Sequence, residues 1–130
     1  MADIATVVAN ASKLPGAVGR DVNAGGAGNL LDSVYIAADG DFEQADGSDA
    51  DQAKLRGIVT AIAGGKTTFV AGDRIHVTTY GPVAGFSGMT PGDTLYQSDT
   101  AGALADAAGT NSHKAGFAWA ADVVFVNPEA

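Results

Sequence analysis

Turn chemistry interrupts this chain too often for long helices to form. Asp39-Gly40, Gly64-Gly65, Gly72-Asp73, Gly81-Pro82 and Pro91-Gly92-Asp93 all punctuate it. Glycine tolerates positive φ, and proline presets φ while removing a ladder donor. Between these breaks lie short runs rich in apolar and β-branched residues: 34–37, 42–45, 56–63, 67–71, 74–80, 83–86, 94–97, 103–105, 114–120 and 122–126. Strands at a spacing of roughly 8–12 residues indicate a sandwich or barrel. The expectation is an all-β fold, a small β-barrel or β-sandwich of about ten short strands. The apolar run 56–63 reads as a central strand. Residues 74–80 alternate, with Ile75, Val77 and Thr79 on one face and Arg74, His76, Thr78 and Tyr80 on the other. Gly81-Pro82 is expected to end that strand. Helical periodicity is weak everywhere, and 50–56 could make one or two turns at most.

The same grammar occurs twice. Ser33-Val34-Tyr35-Ile36, a Gly turn, Phe42, an Ala/Asp/Gly loop and Lys54-Leu55-Arg56-Gly57-Ile58-Val59 form the first passage. Thr94-Leu95-Tyr96-Gln97, a Gly turn, Leu104, a second Ala/Gly loop and Lys114-Ala115-Gly116-Phe117-Ala118 form the second. A weak internal duplication of about 33–62 and 94–120 is therefore expected within a β domain of residues 30–130. Residues 1–29 differ. Leu14-Pro15-Gly16 is a turn, and Gly25-Gly26-Ala27-Gly28 is costly to order. This segment reads as an extended N-terminal arm or edge strand joined to the body by a flexible link.

Fifteen acidic residues against seven basic ones give a net charge of −8, which repels phosphate and argues against nucleic acid as a partner. No apolar run reaches the ~18 residues of a membrane span, and no basic segment precedes Ile4, so no signal peptide is read and synthesis in the cytoplasm is expected. Cysteine is absent, which excludes disulfides and thiolate metal sites.

Reactive motifs are incomplete. Gly64-Gly65-Lys66-Thr67-Thr68 resembles the end of a phosphate loop, but Thr60 stands where the first glycine belongs and a strand follows. The acidic stretch from Asp39 to Asp51 fits no EF-hand. His76 and His113 lack partners at zinc-site spacing. Gly85-Phe86-Ser87-Gly88 misses the nucleophile-elbow spacing. An enzyme would have to gather Asp93, His76 or Glu43 into one pocket. The reading is therefore no catalytic residues, no metal and no cofactor. Trp119, Phe117, Phe125, Phe69 and Phe42 fall in predicted strands and are expected in the core. Tyr80 and Phe86 flank Gly81-Pro82 and are candidates for a subunit contact.

The order of these motifs resembles the capsid cement, or head decoration, proteins of tailed bacteriophages. The likeness runs from Val34-Tyr35-Ile36 through Gly72-Asp73-Arg74-Ile75 and Gly81-Pro82-Val83. It continues through Gly88-Met89-Thr90-Pro91-Gly92-Asp93-Thr94-Leu95-Tyr96-Gln97-Ser98 to Lys114-Ala115-Gly116-Phe117 and Asn127-Pro128. It implies a structural virion protein on the outer capsid surface that stabilises the expanded icosahedral head. The implied partners are the major capsid protein and further copies of the chain, a homotrimer favoured and a dimer as the alternative. Candidate capsid or subunit contacts are Ile4, Val7, Val8, Leu14, Pro15, Val18, Tyr80 and Phe86. The competing expectation is a carbohydrate- or cell-binding module of a phage head fibre, which calls for an open aromatic platform.

Overall fold

The structure, a computed structural model, describes residues 3–130. It is nearly all β. In chain order the strands are β1 (Ala5–Thr6), β2 (Ser12–Lys13), β3 (Val18–Asn23), β4 (Gly28–Asn29), β5 (Ser33–Ile36), β6 (Phe42–Gln44) and β7 (Gly57–Ile62). After them come β8 (Thr68–Phe69), β9 (Arg74–Ala84), β10 (Phe86–Ser87), β11 (Thr94–Gln97), β12 (Leu104–Ala105), β13 (Lys114–Ala120) and β14 (Val123–Val126). A 3₁₀ turn covers Val8–Asn10. The expected helical turn at 50–56 is a series of turns.

The main sheet is antiparallel and curls into a half-barrel in the order β12-β11-β13-β14-β9-β7-β5-β6. β9 organises it. Its first part pairs with β7 on one edge, its last part with β14. Along its other edge run β3 and then β2. Gly81-Pro82 does not end this strand, contrary to the sequence reading. The chain bends there instead: Gly81 has φ of 108°, and a Cβ on it would lie 2.5 Å from Ala17 Cα. Pro82 has no N–H to donate, but its carbonyl accepts from Leu14 N–H at 3.1 Å, so β2 stays attached along this stretch.

The N-terminal segment is an edge strand rather than a free arm. β3 follows β9 from Tyr80 back to Arg74. The glycine link is tied down too: Ala24 is buried, its N–H donates to Asp73 O, and Gly25 N–H donates to Phe42 O, both at 2.8 Å. Met1 and Ala2, the start of the expected arm, lie outside the described residues.

The two passages with shared grammar carry the same ladder. In the first, β5 pairs with β6 and β7; in the second, β11 pairs with β12 and β13. Val34 faces Gly57 as Leu95 faces Gly116, and Ser33 faces Ile58 as Thr94 faces Phe117. The next pairing repeats as well. Val59 faces Val77 as Ala118 faces Val124, and each ladder then shifts register, before Ala61 and before Ala120. Five strands, β3, β5, β6, β7 and the start of β9, thus correspond to the end of β9, β11, β12, β13 and β14.

The two units pack one upon the other. Val34, Val59 and Val77 enter one core, with Ala24, Phe42, Ile62, Phe69 and Ile75. Their counterparts Leu95, Ala118 and Val124 enter a second core, and Ile58 from the opposite face of the first unit covers it. Across this layer Ser33 Oγ donates to Gln97 Oε1, both groups fully buried. Gln97 Nε2 in turn donates to the carbonyls of Ala45, Ser98 and Ala103 at 3.1–3.2 Å, satisfying a polar side chain where water is excluded.

A candidate interaction site of exposed aromatic rings

β13 and β14 place their small or branched residues inward and their rings outward. Ala118, Val124 and Val126 are buried, whereas Phe117 is 38% and Trp119 59% exposed. Phe125 stands opposite Phe117 across the ladder. Phe117 and Phe125 have ring centroids 5.0 Å apart and planes 12° apart, and Trp119 and Phe125 lie 5.3 Å apart at 20°. Tyr80, 49% exposed, meets Phe125 edge-on at 5.2 Å. Val18, 58% exposed, pairs with Tyr80 on the next strand. The result is one uncharged apolar row across four strands. Cross-strand aromatic pairs of this kind stabilise the sheet itself.

Their spacing fixes how the rings stand. Nearly parallel rings 5.0–5.3 Å apart cannot lie side by side in one plane, because their edge hydrogens would overlap. They are offset-stacked, standing on the sheet with edges outward. Such a row offers a ridged apolar surface, not a flat tile.

The core expectation therefore holds for Phe69 and Phe42, which are buried, and is corrected for Trp119 and Phe117. Phe125 is half-buried. The signal was present in the alternation of 117–120, where alanine takes the inward positions and the bulky rings face out. Among the candidate contacts, Val18 and Tyr80 come together in this row. Phe86, only 3% exposed, is in the core and has no surface to offer a partner. Ile4 packs against that core, and its N–H donates to Leu104 O at 2.8 Å. Val7 is exposed, with its N–H on Gly85 O at 2.6 Å; Val8 and Leu14 are half-buried, and Pro15 is exposed.

Ionisable groups are spread out. Asp93 and His76 line different clefts, and Glu43 lies beside Gly25 and Gly26. Lys13 Nζ donates to His76 Nε2 at 3.1 Å, which sets the tautomer so that Nδ1–H donates to Asp21 Oδ1 at 2.8 Å. The carboxylates of the acidic stretch close turns: Asp39, Asp46 and Asp49 each accept from the N–H two residues on. A cleft of about 490 Å³ is lined by Tyr35, Ile36, Ala38, Asp51, Lys54 and Arg56. Burial, then the Glu43 charge, raises the Tyr35 phenol, so it stays protonated there at neutral pH. Burial also raises Asp32, against hydrogen bonds from Gln44 and Asn29. His113 is buried with Nε2 unpartnered, and burial holds its pKa below the usual 6.5. Among the described residues no group of three or more His, Cys, Asp or Glu could hold a metal ion. No protein-family model matches the chain, and no curated protein matches it in sequence.

Proposed function

We propose that this protein is a structural component of a tailed-phage virion, binding the outer capsid surface and stabilising the expanded head as a homo-oligomer, a trimer favoured. The observation that carries the reading is the exposed row of Val18, Tyr80, Phe125, Phe117 and Trp119. Contiguous apolar surface of this kind marks a contact with another macromolecule. A cement protein works by covering joints between shell subunits, a task that needs adhesive area and no reactive centre. The net charge of −8 keeps such a surface soluble before assembly. The test is co-sedimentation of the purified chain with heads lacking it, before and after expansion. Saturable binding to expanded heads alone is expected; binding to neither form overturns the reading.

A glycan- or cell-binding module is the second reading, favoured by the exposure of Trp119. The stacked rings weigh against it, because a sugar packs its C–H face on a ring face and this row presents mostly edges. Saturable retention on a glycan array, lost in Trp119→Ala, would reverse that ranking.

A further inference from the structure

The aromatic row has a counterpart inside the molecule. Phe117 and Phe125 occupy the places that Ile58 and Thr78 hold in the first unit, and Thr94 the place of Ser33. In the first unit all three are fully buried, because the inward face of the second unit lies over them. The same face of the second unit is open. This fold therefore carries a surface shaped to lie against a sheet of its own kind, used once within the chain and left once at its end.

The far end of the stack is closed. Val34, Val59 and Val77 would be the next face offered, but Phe69, Phe42 and Ala24 already cover them. The Phe69 ring lies so close to Gly28 that a Cβ there would overlap it. Open-ended stacking of one chain on the next is blocked, as by the caps of repeat proteins. What remains is row against row in a closed, symmetric contact.

Charge selects the same arrangement. Two copies, each at −8, repel over most of their surfaces. The five side chains of the row bear no charge, so two rows can meet without opposing carboxylates.

We infer that the row formed by Val18, Tyr80, Phe125, Phe117 and Trp119 is the self-association surface of this protein, buried against the same row of a second copy. The inference rests on the virion reading and refines its oligomer: a row meeting the same row is an isologous contact that joins two copies, so it selects the dimer, the alternative to the trimer.

Trp119 is the only tryptophan of the chain and reports on this contact directly. The full chain is examined by sedimentation equilibrium, by light scattering and by tryptophan emission on dilution. Wild-type protein is expected as an oligomer whose emission shifts to the red and whose acrylamide quenching rises as it dissociates. Trp119→Ser and Phe117→Ser, each checked by far-ultraviolet circular dichroism, are expected to weaken association by about thirty-fold or more, as for hot-spot aromatics. Val70→Ser, at an exposed apolar position outside the row, leaves it unchanged. Should the variants fail to fold, quenching of the wild-type oligomer decides: protected Trp119 supports the contact, and open Trp119 overturns it. A wild-type chain that stays monomeric at near-millimolar concentration also overturns it. Monomers that still decorate heads would leave the virion reading intact, whereas oligomers joined through the row that bind no head would remove that reading and keep this one.

Discussion

Leu31 and Gly92 hold the same place in the two units, each in left-handed backbone with φ of 73° and 92°. Each donates its N–H to the equivalent carbonyl, Val59 O or Ala118 O, at 2.8 Å. Each is followed by an aspartate whose carbonyl accepts from that same residue at 2.9 Å. Glycine suits such a turn. Leucine is strained there, and is held because its side chain is buried in the core and fills the space over Gly85, where a Cβ would come within 2.6 Å of Leu31 Cδ1.

Substitution at Leu31 should reveal this balance. Leu31→Ala keeps the strain and loses the buried side chain, costing about 3–5 kcal/mol. Leu31→Gly loses the side chain but relieves about 1 kcal/mol of backbone strain, and should be no worse. Gly92→Ala, with open space around it, should cost only about 1 kcal/mol. Urea unfolding of the three variants checks the order; an alanine at 31 that is clearly milder than glycine would refute the strain argument.

Gly57 and Gly116 should both be intolerant of a side chain, for one shared reason. A Cβ at Gly57 would lie 2.5 Å from Thr78 O, and one at Gly116 would overlap Phe125 O, the equivalent atom. Gly57→Ala is expected to cost about 2 kcal/mol by forcing the strands apart. Gly116→Ala should cost more, since its φ of 143° also disfavours a side chain. Thermal melting that leaves either variant at the wild-type midpoint would show that the ladder yields more readily than described.

The Ser33–Gln97 bond joins the two units, so its loss should be felt as coupling. Gln97→Leu strands the Ser33 hydroxyl and removes one of two donors from the carbonyls of Ala45, Ser98 and Ala103, which keep the N–H groups of Gly102, Gly47 and Ser98, and should cost about 2 kcal/mol. Ser33→Ala should cost about 1 kcal/mol or more. In the double variant the second change should be cheaper by roughly 0.5–3 kcal/mol. Strict additivity would mean that the bond contributes nothing between the layers.

His113 sets a pH dependence. Its folded pKa is lowered by burial, the Glu129 charge opposing. Below pH 6.5 the unfolded chain therefore takes up this proton before the folded one, and stability falls as pH falls toward the lowered value. Asp32 acts oppositely: its raised pKa lets the folded state bind a proton first as acid is added. Comparing His113→Gln with wild type isolates the histidine, and urea midpoints in a pH series should show a flatter slope below 6.5 for the variant. Parallel slopes would remove this assignment.

Much of the fold was legible because turn residues and apolar runs alternate. Residues 94–97 and 114–120 coincide with β11 and β13, and 34–37 and 56–63 lie within a residue of β5 and β7. Three features were not legible. Gly81-Pro82 looks like a terminus, but glycine absorbs the bend and the Pro82 carbonyl keeps its partner, so β9 continues. Residues 18–23 have little apolar periodicity because an edge strand is held by its backbone. Trp119 and Phe117 carry every mark of core residues; only their position opposite buried alanine in the alternation betrays that they face out.

β9 belongs to both units at once, closing the first and opening the second without a break. Neither half can be cut away as a module, since the chain ahead of β3 crosses to the second unit, with β1 on β10 and β2 on the end of β9, and Ile58 and Ser33 of the first unit are buried against the second. Heat or denaturant should thus meet a single all-or-none transition, with neither half melting ahead of the other.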